Sequence, residues 1–469
     1  MSKAIIIGSG MGGLATALRL AYQGFDVSVY EKQSHPGGRS NLLADGGYRF
    51  DMGPTILVMK EAFESTYQAI GQDFNKRLDL VQLDPNYRVY YHDGTSLDLY
   101  SNMARLAQEV EKIEAGSAER LFRFLGESAH KYELGMKFVD RNYDRITDLA
   151  NPKALLEMIG TKSHHNLYRH VAEAFQGNDK LSKAFSFHSM FLGLSPFQAL
   201  AMYSLITYAD LSLGMWFPKG GIYRIVEDMV ALAEEMGVEI RTNAAVEEIM
   251  VTSGKATGVT LESGEQLSAD IVVSFAVLPP TYRNVLNGNG REEYSEGKLE
   301  RMSYACSGYI LYLGVDQVYP HMQHQSLYFS EDYQANLEAI FNTKSLPADP
   351  SFHLSIPTVT DASLAPEGHS AIYVLAPMPN LSANINWDQA APRVRGQLLD
   401  QLEKIIDPDI RKHITWERDY RPTDWQNDVN AALVTAFGSF SHGLLQSAYF
   451  RPHNKAKHIS GLYFVGQST

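Results

Sequence analysis

Gly8-Ser9-Gly10-Met11-Gly12-Gly13 has the spacing of a G-x-G-x-x-G turn. The first glycine permits a tight turn, the second lets backbone approach a diphosphate, and the last lets a helix pack closely on a strand. Unpaired N–H groups and the positive dipole end at the start of that helix favour an anion. Glu31 follows 18 residues after Gly13, where a carboxylate can accept the hydroxyls of the adjoining ribose. A glycine turn that binds nothing is the bland alternative, and the carboxylate at this spacing argues against it. Both NAD and FAD satisfy such a fingerprint.

The next residues separate the two. Pro36-Gly37-Gly38-Arg39 adds a second glycine turn whose guanidinium can reach the same diphosphate, with a plain surface charge as the alternative. Phe50-Asp51-Met52-Gly53-Pro54-Thr55 is a further tight turn with a rigid proline, suited to face an isoalloxazine ring. The extension favours FAD.

Other reactive residue types are thinly spread. His188, within Phe185-Ser186-Phe187-His188-Ser189, is a candidate acid/base, with a satisfied core histidine as the alternative. His164, His165, His170, His321 and His324 lack the paired carboxylate or cysteine spacing of a metal site. They are expected to be solvated, with no metal bound. Cys306 is the lone cysteine, expected as a buried, inert thiol in a strand. Neither a Gly-x-Ser-x-Gly elbow nor a P-loop occurs, which removes the hydrolase and NTPase classes.

The elements that must position these residues can be read from periodicity. Ala4-Ile5-Ile6-Ile7 is a continuous apolar run, which suits a strand buried on both faces. Leu14, Ala17, Leu18 and Ala21 have helical spacing, stopped by Gly24, and residues 26–31 alternate as a second strand. Residues 61–153 are largely helical by pattern, with a hairpin at 89–99 around Asp93-Gly94, and helices continue over 152–215. An amphipathic helix at 222–236 leads through short strands at 238–242, 246–252 and 256–261 to a buried strand at 271–276. Strands dominate 302–376, residues 392–406 read as helix, and 461–465 is a last apolar strand. This is the pattern of an α/β nucleotide domain completed by distant segments, with a strand-and-helix lobe inserted in two places.

At 469 residues the chain can bury a large interior, and 45% hydrophobic with 20% charged residues is an ordinary globular composition. The formal charge of -13 disfavours nucleic acid as a partner. The start, Met-Ser-Lys, lacks the features of a signal peptide. No stretch reaches the roughly 20 apolar residues of a membrane-spanning helix; the closest, 199–217, is broken by Asp210. Membrane contact is therefore expected to be peripheral.

Glu31-Lys32, Gly37-Gly38-Arg39 and Phe50-Asp51-Met52-Gly53-Pro54-Thr55 resemble the amine-oxidase-like flavoproteins. Further motifs narrow the likeness to the bacterial carotenoid desaturases. These are Trp216-Phe217-Pro218-Lys219-Gly220-Gly221, then 361–368 continuing through Tyr373-Val374-Leu375-Ala376-Pro377, then Gln446-Ser447-Ala448 with Phe450-Arg451-Pro452-His453-Asn454. Leu462-Tyr463-Phe464-Val465-Gly466 closes the set. The likeness runs the length of the chain and includes both phytoene and 4,4'-diapophytoene desaturases. Cys306-Ser307-Gly308 through Gly314-Val315-Asp316 is nearer the second branch, and partly like carotenoid oxygenases.

The resemblance implies an α/β fold: a discontinuous Rossmann-like FAD-binding domain with an inserted mixed-sheet and helical substrate/membrane lobe. The expected divisions are FAD-binding parts at 1–95, 222–285 and 450–469, a helical substrate and membrane lobe at 96–221, and a mixed-sheet substrate domain at 286–449. Implied flavin contacts are Gly8, Gly10, Gly12, Gly13, Glu31, Lys32, Gly38, Arg39, Thr55, Val246 and Gly466. The family's motif continues beyond Gly466 with a His-Pro-Gly stretch and a helix over the flavin. The sequence ends at Thr469, and Gln467 stands where relatives often carry a small residue, so weaker FAD retention is expected.

The implied reaction is FAD-dependent dehydrogenation of a hydrophobic polyene, by hydride transfer to flavin and loss of a neighbouring proton. A hydrocarbon offers no hydrogen-bond handles, so a long apolar tunnel is expected, with walls drawn from 184–217. Asp148, with Arg145 nearby, lies where relatives are assigned an acid/base pair, and is the second catalytic candidate beside His188. The expected location is the cytoplasmic face of a membrane, attached peripherally through helices in 151–213. The alternatives are a carotenoid oxidase or isomerase of the same fold, and a non-redox lipid-binding escort protein. A non-catalytic escort has no need of Glu31 and Arg39, which weighs against the last.

Overall fold

The computed structural model describes residues 1–139, 165–289, 292–429, 437, 440–443, 446, 450–467 and 469. The amino-terminal unit is β1 (Lys3–Ile7), α1 (Met11–Tyr22) and β2 (Asp26–Tyr30). β1 pairs in parallel with β2 on one side and with Ile271–Ser274 on the other. Leu462–Phe464 and Glu239–Arg241 add the outer strands, both parallel. Five strands from across the chain thus make one parallel sheet.

Both faces of that sheet are covered, which is why β1 reads as an unbroken apolar run. Ala4 and Ile6 pack with Leu14 and Leu18 of α1 and with Ile225 and Met229 of the helix Tyr223–Glu235. Ile5 and Ile7 face the other way, onto Ile249, Val259 and Leu261. Those residues belong to an antiparallel three-stranded sheet of Val246–Thr252, Lys255–Leu261 and Gln266–Ser268. The short strands expected after 237 therefore divide: Glu239–Arg241 extends the parallel sheet, and the rest cover it.

A mixed sheet of seven strands forms the second layer. Its order is Ile414–Tyr420, Ser307–Val315, Ser370–Met378, Phe352–Ser355, Gln325–Phe329, Tyr87–Tyr91 and Ser96–Leu99. One face is sealed by the helix Trp387–Ile405 through Leu311, Leu354, Val374, Leu398 and Leu402. The hairpin expected near Asp93-Gly94 joins this sheet, through parallel pairing of Tyr87–Tyr91 with Gln325–Phe329. The expected boundary at 95/96 therefore cuts a hairpin whose two strands both belong to the mixed sheet. Backbone pairing across 238 residues decided this, and local pattern carries no trace of it.

Helices Ser117–Val139, Leu167–Ala174, Asp179–Ser186 and Ser204–Leu213 gather around Phe124, Phe175 and Phe185. Asn166 and Asn178 cap two of them by accepting from Arg169 N and Leu181 N, the side-chain chemistry that satisfies a first-turn donor. Among the described residues no helix is long and apolar enough to cross a membrane.

Candidate functional site

A cavity of about 920 Å³ begins at the glycine turn of the parallel sheet and continues beneath the mixed sheet. At its first end stand Gly8, Gly10, Gly12, Glu31, Lys32, Gly38, Arg39, Val246 and Gly466. At the other end the wall is apolar, with Leu327, Phe329 and Leu375 from the sheet facing Phe187, Met190 and Phe191 from the helical part. Gly53, Pro54 and Thr55 lie along the same cavity, where the two ends meet.

The polar end is fixed by the turn. Gly8 has φ +97°, and a Cβ on Gly13 would stand 2.1 Å from the Gly8 carbonyl oxygen, so only glycine lets the helix close on the strand. The Glu31 carboxylate is buried and fastened to that turn. Its Oε2 accepts from Ser9 N at 2.8 Å and Ser9 Oγ at 2.9 Å, and Oε1 accepts from Gln33 N at 3.0 Å. Each oxygen keeps acceptor capacity toward the cavity, which suits vicinal hydroxyls. Burial lowers the Arg39 guanidinium to about 10, and its Nη1 donates to Gln467 Oε1 at 2.8 Å. Loss of hydration also lowers the Lys32 ammonium, partly offset by Glu31.

The flavin-containing amine oxidoreductases match this chain over residues 11–469. The chain belongs to that family. It is 38% identical over its whole length to a zeta-carotene-forming phytoene desaturase of Myxococcus xanthus, covering 90% of it. It is 32% identical to a 4,4'-diapophytoene desaturase of Staphylococcus aureus, again over its whole length and 94% of the relative. Among solved structures, an oxidoreductase from Methanosarcina mazei shares the fold, with a TM-score of 0.65 at 18% identity over 100% of this chain and 95% of the other.

The cradle of this flavin amine oxidoreductase fits FAD. Ten of the eleven expected contacts line one cavity: all but Gly13, which packs behind the turn. Phe275, which sequence reasoning did not single out, sits against the turn from the end of the strand Ile271–Ser274. A Cβ on Gly10, Gly12 or Gly466 would come within 2.2, 2.5 or 2.8 Å of its ring. Glycines from two distant segments are thus packed against one aromatic ring.

The catalytic candidates fare differently. Asp148, with Arg145, lies outside the described residues. His188 is fully buried and is not part of the cavity wall. Its Nε2 bonds Asp210 Oδ2 at 2.8 Å and its Nδ1 bonds Thr207 Oγ1 at 3.2 Å, so both ring nitrogens are engaged inside the helical core. Cys306 is buried and its thiol is held well above the usual range by burial. His170 and His324, expected at the surface, are 4% and 5% exposed. His324 packs edge-on against Phe217 and bonds Thr360 Oγ1 at 2.7 Å, and burial lowers it to about 3. Among the described residues no group of three ligating side chains could hold a metal.

The cavity wall contains polar residues that sequence reasoning missed. Tyr373 donates its hydroxyl to the Gly53 carbonyl at 3.2 Å, and His353 bonds Gln325, which donates to the Thr55 carbonyl at 2.9 Å. The signal available was parity: Ser351, His353 and Ser355 share one phase of a strand whose other phase, Phe352 and Leu354, is apolar.

Proposed function

We propose that this chain desaturates a linear carotenoid precursor, the forty-carbon phytoene or the thirty-carbon 4,4'-diapophytoene, with FAD as oxidant. One observation carries the reading: a single cavity joins a diphosphate-binding turn to an apolar wall. The activity named for the relatives at 38% and 32% identity supports the same chemistry. When bound, the flavin supplies a hydride acceptor. The protein's share is to hold and exclude. Glu31 offers its carboxylate to the ribose, Arg39 and the glycine turns meet the diphosphate, and Thr55 lies along the wall toward the substrate. Phe187, Phe191, Leu327 and Phe329 offer no hydrogen bond, so they select a hydrocarbon and keep water from the reacting carbons.

A polyene of this length resides in a bilayer, so the chain takes it up while attached peripherally to the cytoplasmic face, through the region 151–213, whose described helices are Leu167–Ala174, Asp179–Ser186 and Ser204–Leu213. The purified chain is expected to bind FAD and absorb near ~450 nm, as oxidised flavins do. Coexpression with a phytoene synthase or a diapophytoene synthase is expected to give products lighter by two hydrogens per step, and mass spectrometry identifies which precursor is used. A chain that takes up no FAD, or that returns both precursors unchanged, overturns the proposal. Products of raised oxygen content would assign an oxidase instead. Flotation with phosphatidylcholine and phosphatidylglycerol vesicles tests attachment; protein left wholly in the aqueous fraction refutes it.

A further inference from the structure

Among the described residues, His353 contributes the one imidazole in the cavity wall. It stands in the middle of the mixed sheet, with Leu375 its neighbour on one strand, Leu327 on the other, and Ile310 continuing the row. All three apolar neighbours also line the cavity. Of the charged residues of the wall, Glu31, Lys32, Arg39 and Glu262 belong to elements at the nucleotide end, while Asp428 sits on the helix Pro422–Val429 with its carboxylate bonded to the Tyr420 hydroxyl and its carbonyl to Gln33, so His353 is the proton-binding group set among the aliphatic ones.

Its tautomer follows from a chain of hydrogen bonds. Gln325 Nε2 donates to the Thr55 carbonyl at 2.9 Å, which turns Gln325 Oε1 toward the ring. His353 Nε2 lies 2.6 Å from that oxygen and therefore carries the hydrogen and donates it. Nδ1 is left with its lone pair, and no hydrogen bond engages it among the described residues. His188 makes the contrast: a core histidine of this same chain uses both nitrogens. Burial lowers His353 to about 4, so the ring is neutral and able to accept at neutral pH.

We propose that His353 Nδ1 accepts the proton lost in the dehydrogenation, an inference that rests on the desaturase reading above. A carbon–carbon single bond loses two hydrogens in this reaction. One leaves with both its electrons as the hydride that the flavin accepts; the other leaves as a proton to the Nδ1 lone pair. The electrons of that second C–H bond become the new π bond. The C–H beside a carbon losing hydride is strongly acidic, so a weakly basic imidazole suffices. The imidazolium passes its proton to water when the product departs. Gln325 and the Thr55 carbonyl act as positioning groups, tying the base to the Gly53-Pro54-Thr55 turn.

The test uses the full chain loaded with FAD and mixed anaerobically with phosphatidylcholine vesicles carrying phytoene or 4,4'-diapophytoene. Loss of flavin absorbance in a single turnover reports the chemical step, and fluorescence titration reports FAD affinity separately. His353→Ala and His353→Gln are expected to bind FAD within about two-fold of wild type and to bleach about 10²–10³-fold more slowly, the range of a lost acid/base group. Added imidazole is expected to restore at least about ten-fold to His353→Ala, and nothing to His353→Gln, whose side chain fills the site. Variant rates within about three-fold of wild type overturn the assignment, as do slow variants that imidazole leaves slow, or loss of FAD affinity in both. A wild-type chain that binds FAD yet bleaches with neither polyene overturns the desaturase reading itself.

Discussion

At the scale of single residues, the polar end of the cavity depends on one carboxylate. Glu31 holds Ser9 through both its backbone N–H and its hydroxyl and so shapes the glycine turn. Glu31→Gln puts an amide N–H₂ where an acceptor is needed, either against Ser9 or against the ribose. FAD affinity is expected to fall about ten- to a hundred-fold, one to two hydrogen bonds to a charged acceptor. Fluorescence titration of the purified chain measures this, and unchanged affinity would detach Glu31 from the cofactor. Glu31 was legible in the sequence because strand, turn, helix and strand are contiguous there. His353 was not, because only sheet pairing puts it between Leu327 and Leu375.

At the scale of elements, the helix Tyr223–Glu235 is capped from a distance. Asp51 accepts from Ile222 N at 2.8 Å and Tyr223 N at 2.9 Å, across 171 and 172 residues of chain, and links the Gly53-Pro54-Thr55 turn to the helix under the sheet. Burial raises its carboxyl from 3.8 to about 6, more than those two bonds and Arg49 lower it. Between these pH values the folded chain binds more protons than the unfolded one, so Asp51 makes stability fall as pH rises through that window. Asp51→Asn removes the slope: the melting temperature of the variant relative to wild type is expected to climb from about pH 4 to about pH 7. A difference independent of pH would refute it. Asp210 holds together the helical part in a similar way, accepting from Asn86 Nδ2 at 3.1 Å and pairing with His188. Asp210→Ala leaves buried donors without an acceptor and is expected to cost about 3 kcal/mol in denaturant unfolding. Flavin bound per folded chain should stay the same, since neither residue lines the cavity.

At the scale of the whole molecule, the nucleotide sheet is assembled from strands as far apart as Lys3–Ile7 and Leu462–Phe464. A ligand that touches residues of β1's turn, of Val246 and of Gly466 together binds only the folded arrangement of those segments. Saturating FAD is therefore expected to stabilise the chain by about 3 kcal/mol at a hundred-fold excess over Kd, seen as a melting temperature several degrees higher. Adenosine monophosphate, which lacks the diphosphate and the flavin, should give less. Equal shifts for the two would mean that only the adenine end is gripped.

The sequence by itself determined the glycine-turn end of the cavity and the α/β class, because both follow from local periodicity and from glycines set within thirty residues of chain. It also carried the likeness to the desaturases, since those motifs are contiguous runs. Only the tertiary structure decided the other half. Which strands share a sheet, which phase of each faces the cavity, and which histidine keeps a lone pair in its wall depend on pairing between distant segments. His353, Gln325 and Thr55 are one example, with separations of 28 and 270 residues. Periodicity gives a side chain's face but not what that face meets. The hydrogen bonds that fix a tautomer exist only once the chain has closed on itself.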